Sequence, residues 1–379
     1  MREHFWQSVP GYFSFHEFYS SVASFAAKSG NVNWRGVEVG VHSGQSAAYL
    51  AIEIANKAPD LIRCLDLVDS FDGPFGGPDE VKRRLKPVMD IVGDVHAGEP
   101  CEAAAKYADG SLDFCFINTA HDEANIRRSL EAWAPKVRDG GWISGHGFDL
   151  NFPGVIQATT DAFEWLDVTR ENWGTWRAIK GGMEKVIKAA KLPRPMSAAL
   201  QMDHFYEEIP GSFTFESFYS WLAGQLPTGG RMVEVGTDRG RSAAYLGVEI
   251  LNSGSGCKID LVDLYPRGIE DVANRLAPVM GAISAIRQEC SWEAARHYAN
   301  GSLDAVFLDA GHQYECLKND IHAWRRTIRP GGVLAGHDFA LDIPGVIQAV
   351  AEKVGGSWNV WRGSRYENGR FYPVWWTRL

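Results

Sequence analysis

Two short segments of this 379-residue chain carry the side chains best suited to chemistry. F-L-D-A-G-H-Q-Y-E at 307–315 supplies Asp309 and His312, and G-H-D-F at 336–339 supplies His337 and Asp338. Each includes or follows an apolar run of strand type, so Asp309 and His337-Asp338 are expected at two strand ends that open onto one edge of a parallel sheet. Two carboxylates aimed into one cleft repel each other unless a cation or a proton lies between them. Magnesium meets that need with a few carboxylates plus waters and substrate oxygens, and it lowers the pKa of a bound hydroxyl. His337 as a further ligand would favour a transition metal over magnesium; the alternative is that His337 does not bind the ion. The His312 imidazole is suited to taking a proton near neutral pH. The structural alternatives are a capping carboxylate for Asp309 and a capping or hydrogen-bonded histidine for His312.

The first half repeats these segments without the charges. At 116–124 the chain reads F-I-N-T-A-H-D-E-A, with Asn118 at the place of Asp309 and His121 retained; at 145–148 it reads G-H-G-F, with His146 kept and Gly147 at the place of Asp338. A divalent ion would lose two negative ligands there. The repeat runs through the chain: H-F-x-x-x-x-P-G-x-F-x-F near each start, V-E-V-G, D-L-V-D, G-S-L-D and P-G-V-I-Q-A all occur twice. The offset drifts from 200 residues (His4 against His204) to 191 (Gly110 against Gly301), as deletions in loops would produce. A unit this long is a duplicated domain and not a solenoid repeat. The expected boundaries are 1–180, a linker over 181–202 containing Gly-Gly and Pro-Arg-Pro, and 203–379.

Within each copy short apolar runs alternate with helical patterns. In the second they are 232–236, 258–263, 282–287, 303–310 and 332–339, with helices from Ser242, near 270 and from Tyr314. That alternation predicts an α/β fold with a mostly parallel sheet covered on both faces. Aromatic segments around Glu171-Asn172 and Glu367-Asn368-Gly369 then predict a closing hairpin whose last strand is antiparallel at the sheet edge.

The first strand of each copy leads into E-x-G-x-x-x-G-x-S: Glu38, Gly40, Gly44 and Ser46, then Glu234, Gly236, Gly240 and Ser242. Glycines there let the backbone turn tightly and approach a ligand. His42 and Asp238 stand where a dinucleotide fingerprint has its second glycine, which lowers an NAD reading. Asp69 and Asp263 end the second strands, where a carboxylate can accept from both hydroxyls of a ribose. A ribose without a pyrophosphate points to a nucleoside.

With these motifs both halves resemble class I S-adenosylmethionine-dependent methyltransferases, closest to the small-molecule O-methyltransferase group with catechol and macrocin-like enzymes. D/N-G-S-L-D, F-L-D-A-G-H-Q-Y-E and P-G-G-V-L-A-G-H-D-F carry that resemblance further. It implies two tandem Rossmann-like domains with S-adenosylmethionine as cofactor. The loop with Glu234, Gly236, Thr237, Gly240 and Ser242 would hold the methionine part, Asp263 the ribose, and Ser291 would lie near the adenine. Glu38, Gly40, Gly44, Ser46 and Asp69 would keep that capacity in the first half. His312 falls where a family general base sits, and metal-dependent members place an Asp at the position of Asp309. The implied reaction is in-line attack of a substrate oxygen on the sulfonium methyl group. The second half is then the catalyst for a small hydroxylated metabolite or sugar, and the first a degenerate copy. Two alternatives remain open: a non-catalytic cofactor-binding scaffold or regulatory subunit, and another nucleotide-using enzyme on the same fold.

Composition narrows the partners. A net charge of −9 and no basic run argue against nucleic acid, and no stretch of 18 apolar residues suggests a membrane span. With no secretory pattern, a cytoplasmic protein with six reduced, mostly packing cysteines is expected. Asp320 reads as part of a solvated helix face. The tryptophans, including Trp358, Trp361, Trp375 and Trp376, read as core or interface residues, with a pocket wall as the alternative. Phe13, Phe15, Phe18 and Tyr19, with Phe213, Phe215, Phe218 and Tyr219, read as a docking or lid segment. The halves are expected to form an intramolecular pseudo-dimer, with homo-oligomerisation left open.

Overall fold

The computed structural model describes residues 1–171, 173–182, 201–266 and 268–379. Most of the expected linker, with its Pro-Arg-Pro, and Asn172 of the first closing turn lie outside the described residues. The chain forms two compact units, Met1–Gly182 and Met183–Leu379.

In the first unit the strands are β1 (Gly36–Val39), β2 (Leu65–Asp69), β3 (Val92–Ala97), β4 (Leu112–Ile117), β5 (Val137–His146), β6 (Trp165–Thr169) and β7 (Thr175–Ile179), in the spatial order β3-β2-β1-β4-β5-β7-β6. The second unit repeats this with β8 (Arg231–Val235), β9 (Lys258–Asp263), β10 (Ile283–Gln288), β11 (Leu303–Leu308), β12 (Ile328–Gly336), β13 (Ser357–Trp361) and β14 (Val374–Arg378), ordered β10-β9-β8-β11-β12-β14-β13. β8 pairs in parallel with β9 and β11, so strand order reverses between β8 and β11. Their carboxyl ends form the crevice where ligands of such sheets bind.

The last strand is antiparallel, as expected, but its place differs. β14 pairs with β12 on one side and β13 on the other, and β7 likewise lies between β5 and β6. The Glu367–Gly369 turn is present, closed by Gly369 N–H donating to the Tyr366 carbonyl, but it sits in a twelve-residue connection (362–373) and not in a tight hairpin. Short-range turn chemistry made that ending look compact; pairing with β12 decided it.

The paired aromatics near each start do not form a docking surface. They enter the core of their own unit, where Phe307 (0% exposed) meets Phe215 and Tyr219 at 5.0 Å and Phe218 at 5.9 Å between ring centroids. Phe116 is surrounded in the same way by Phe15, Phe18 and Tyr19. Burying one such ring contributes about 2–3 kcal/mol. Trp358, Trp361, Trp375 and Trp376 are all buried, Trp376 against Trp221 at 4.5 Å, so they are core residues. All six cysteines are free thiols. No described helix is long and apolar enough to cross a membrane.

Candidate active site

The crevice of the second unit is a cavity of about 410 Å³ lined by Gly236, Asp263, Ser291 and Asp309, four of the residues expected there. Gly236, just past β8, has φ +89°, and a Cβ at this position would lie 2.0 Å from the Asp309 carbonyl oxygen. Only glycine allows β8 and β11 to end this close together. Gly40 meets the Asn118 carbonyl in the same way in the first unit.

Asp263 ends β9, and its carboxylate is pre-aimed. One oxygen accepts from the Asp238 backbone N–H at 2.8 Å and the other from that of Leu264 at 2.6 Å, leaving lone pairs for a ligand. In the first unit Asp69 accepts from His42 and Phe71 N–H groups in the same pattern. D-L-V-D thus supplies two aspartates with separate roles. Asp260, at the other end of β9, is 2% exposed and accepts from Tyr298 Oη at 2.8 Å and Arg231 at 3.1 Å. The aspartate of G-S-L-D is also a clasp: Asp304 accepts from the Arg231 backbone and pairs with Arg329.

Glu234, Thr237, Gly240 and Ser242 do not line the cavity of the second unit. Glu234 is 1% exposed behind the glycine loop, where Ser242 Oγ donates to it; Glu38 and Ser46 make the same pair. With no cationic side chain beside either carboxyl among the described residues, burial pushes both up to about 8. Gly240 adopts φ +88° and starts the helix Arg241–Ser253.

Beside the cavity, Asp309, His312 and Asp338 converge, with one ligand atom from each lying within 4.8 Å of the others. His312 Nε2 is 3.0 Å from Asp338 Oδ2 and 3.7 Å from Asp309 Oδ1. His337, expected as a ligand, stands behind this triad. It is 4% exposed under Phe215, with Nδ1 3.1 Å from Asp338 Oδ1 and 3.6 Å from Asp309 Oδ1, so it orients the carboxylates from the protein side. Asp309 and Asp338 raise His312 to about 10. Burial disfavours a charge on His337, yet Asp309 and Asp338 outweigh it and hold His337 at about 9. Burial would likewise raise Asp338, but His312 and His337 hold it well below the usual carboxylate range. Both carboxylates thus favour the protonated form of His312 in the ligand-free site. His312 does not cap the next helix, whose N-cap is Gln313.

The donor set of two carboxylate oxygens and an imidazole nitrogen fits a divalent transition ion better than magnesium, which prefers oxygen ligands alone. Among its described residues the first unit offers no such set. Asn118, His121 and His146 line its cavity of about 520 Å³ together with Gly40, Ser46 and Asp69, while Glu38 and Gly44 lie outside that lining. His121 stacks on Phe152 at 4.5 Å, and burial lowers its pKa. Its ring fills the place of a side chain at 147, since a Cβ on Gly147 would meet His121 Cδ2 at 2.4 Å.

Sequence reasoning missed several lining residues. Trp292 (41% exposed) and Leu264 (65% exposed) give the cavity apolar walls, and Cys290 and Cys316 also line it. Tyr366, from the long β13–β14 connection, lies over His337 with 6.2 Å between ring centroids. Asp320 is a correction: it is 2% exposed and lines the cavity, because the helix Tyr314–Arg325 turns that face inward with Leu317 and Trp324. The equivalence with Ser129, itself 2% exposed, was the available signal.

A family model described as "Methyltransferase domain" matches the chain twice, over residues 37–148 and 233–339. No curated protein matches it. Similar solved structures include an rRNA methylase from Streptococcus thermophilus, 15% identical, with 44% of this chain and 98% of that one covered at a TM-score of 0.35. A SAM-dependent O-methyltransferase from Thermotoga maritima is 14% identical over 54% of this chain and 74% of its own, at a TM-score of 0.34. A methyltransferase from Geobacter sulfurreducens is 13% identical over 45% of this chain and 80% of its own, at 0.33.

Proposed function

We propose that this chain, which belongs to the methyltransferase-domain family whose model it matches twice, is an S-adenosylmethionine-dependent O-methyltransferase whose second unit does the chemistry on a small hydroxylated metabolite or sugar. One observation carries this reading. The Asp309–His312–Asp338 cluster adjoins the same crevice as Gly236 and the pre-aimed Asp263, and its counterpart in the first unit has neither carboxylate. The lining also holds Asp238, Glu289 and Asp320 without a lysine or arginine, an electrostatic setting suited to a sulfonium cation.

The methyl group would move in line from the sulfonium sulfur to the acceptor oxygen. The S–CH₃ bond breaks as the O–CH₃ bond forms, and the neutral thioether leaves. Asp309 and Asp338 would hold the acceptor hydroxyl, and its proton would pass to the Asp309 carboxylate, while His312 and His337 keep Asp338 oriented. A divalent ion held by Asp309, His312 and Asp338 would supply Lewis acidity that lowers the pKa of that hydroxyl. The first unit retains Asp69 and the glycine loop, and we assign it cofactor binding without turnover.

The test is calorimetric titration with S-adenosylhomocysteine and with NAD, followed by transfer of labelled methyl from S-adenosylmethionine to panels of hydroxylated metabolites, sugars and RNA. Micromolar binding of the homocysteine nucleoside and label in a small acceptor are expected. Binding of NAD alone would sink the methyltransferase assignment, and label confined to RNA would overturn the small-acceptor reading.

A further inference from the structure

The cavity of the first unit lacks its counterpart's carboxylates but carries aromatic rings that the second does not. Tyr12 (101% exposed) and Trp173 (55% exposed) line it, where the repeat has Ser212 and Gly369 in the second unit. Trp173 holds a backbone suited to glycine: its φ is +59°, against +78° at Gly369. A bulky residue rarely adopts that conformation, and such strain concentrates at ligand sites. The Trp173 indole meets Phe152 edge-on, at 5.7 Å and 81°, and lies 6.1 Å from the His146 ring.

We infer that the first unit carries a non-catalytic saccharide site, which takes a neutral pyranose ring against Trp173 and Tyr12. Asn118, His121 and His146 line the same cavity and supply the polar side of the site. Asn118 Nδ2 reaches the Gly40 carbonyl at 3.5 Å, the outer limit of a hydrogen bond, so the amide can still both donate and accept. Burial favours the neutral form of His121, which donates from one ring nitrogen and accepts at the other, and its Nε2 lacks a hydrogen-bond partner among the described residues. Asp69 is the only carboxylate in this lining, and no lysine or arginine joins it among the described residues, whereas five carboxylates line the cavity of the second unit. Such a surface suits an uncharged ligand. A pyranose matches both of its parts: the C–H face lies on an aromatic ring, and the hydroxyls, each a donor and an acceptor, pair with amide and imidazole. A flat phenol would use the rings and leave most of the polar groups unpaired. Asn118 follows β4, His146 ends β5 and Trp173 precedes β7, all on the opposite side of β1 from Asp69 at the end of β2. The inference therefore stands independently of the cofactor reading.

The test is saturation-transfer difference NMR with titration calorimetry on the full chain, using methyl β-D-glucopyranoside, methyl β-D-galactopyranoside and methyl α-L-rhamnopyranoside, with catechol as the flat-ring control. At least one glycoside is expected to bind with a Kd of about 1 mM or tighter, the scale for a ligand of this size. Tyr12→Ser with Trp173→Gly, which installs the residues of the second unit, should weaken that binding at least about 10-fold with unchanged circular dichroism. Tyr12→Ser alone, at a fully exposed residue, should weaken it about 3-fold, and it decides the matter if the double variant does not fold. Glycosides that all bind more weakly than about 10 mM, or more weakly than catechol, overturn the inference. Glycoside binding that survives these substitutions overturns it too, and leaves the methyltransferase reading of the second unit intact.

Discussion

Asp309→Asn is expected to lower methyl transfer by about 1000-fold, within the range for loss of positioned acid–base groups, while S-adenosylhomocysteine affinity changes by no more than about 3-fold. The substitution keeps shape and backbone: the Asp309 N–H still donates to the Val235 carbonyl, and the contact that requires Gly236 involves the main chain only. What it removes is one of the two carboxylates that favour the protonated forms of His312 and His337 and that would hold a divalent ion. Divalent-ion binding, read by calorimetry with manganese, should disappear with turnover. Restoring carboxylates in the first unit by Asn118→Asp with Gly147→Asp should not rescue the variant. The His121 ring occupies the space that a side chain at 147 needs, and the backbone there has φ +83°. An Asp309→Asn protein that keeps more than a tenth of parental turnover, or one rescued by the first-unit changes, would refute the assignment of catalysis to the second unit.

A second large effect is expected in stability. Glu38 and Glu234 are buried without a cationic partner among the described residues, and each is raised from 4.5 to about 8, chiefly by burial against the smaller opposing effect of Ser46 or Ser242. Between about pH 4.5 and 8 the folded chain therefore holds two protons that the unfolded chain has released. The folded state binds more protons, so stability is full below the unfolded pKa, falls as pH rises through this window, and levels off above it. Each group contributes a slope of up to about 1.4 kcal/mol per pH unit. Glu38→Gln with Glu234→Gln preserves the acceptor for serine and removes both titrations. Urea unfolding at pH 5, 6, 7 and 8 should show a flatter profile in the double variant and a higher midpoint than the parent at pH 8. Parallel profiles for the two proteins would show that these carboxyls are ionised in the fold, and that an unrecognised cation or water neutralises them.

What the sequence determined by itself was whatever local pattern or internal comparison could express. Alternation of short apolar runs with helical segments specified the parallel α/β sheet, because a buried parallel strand must be apolar on both faces. The repeat set Asn118 against Asp309 and Gly147 against Asp338, so the asymmetry of the two halves was legible before any geometry. The tertiary structure alone decided the rest. Whether Asp320 faces solvent or a cavity depends on which face of its helix meets the sheet, and a charged residue on an amphipathic helix defaults to solvent in any sequence reading. His312 and His337 have the same side chain and similar motif positions, but only packing puts one at the rim of the cluster and the other beneath Phe215. The position of β14 between β12 and β13, and with it the placing of Tyr366 over the cluster, followed from long-range strand pairing. Each of these outcomes rests on contacts between residues distant in the chain, whose cost and gain are settled only when the whole core closes.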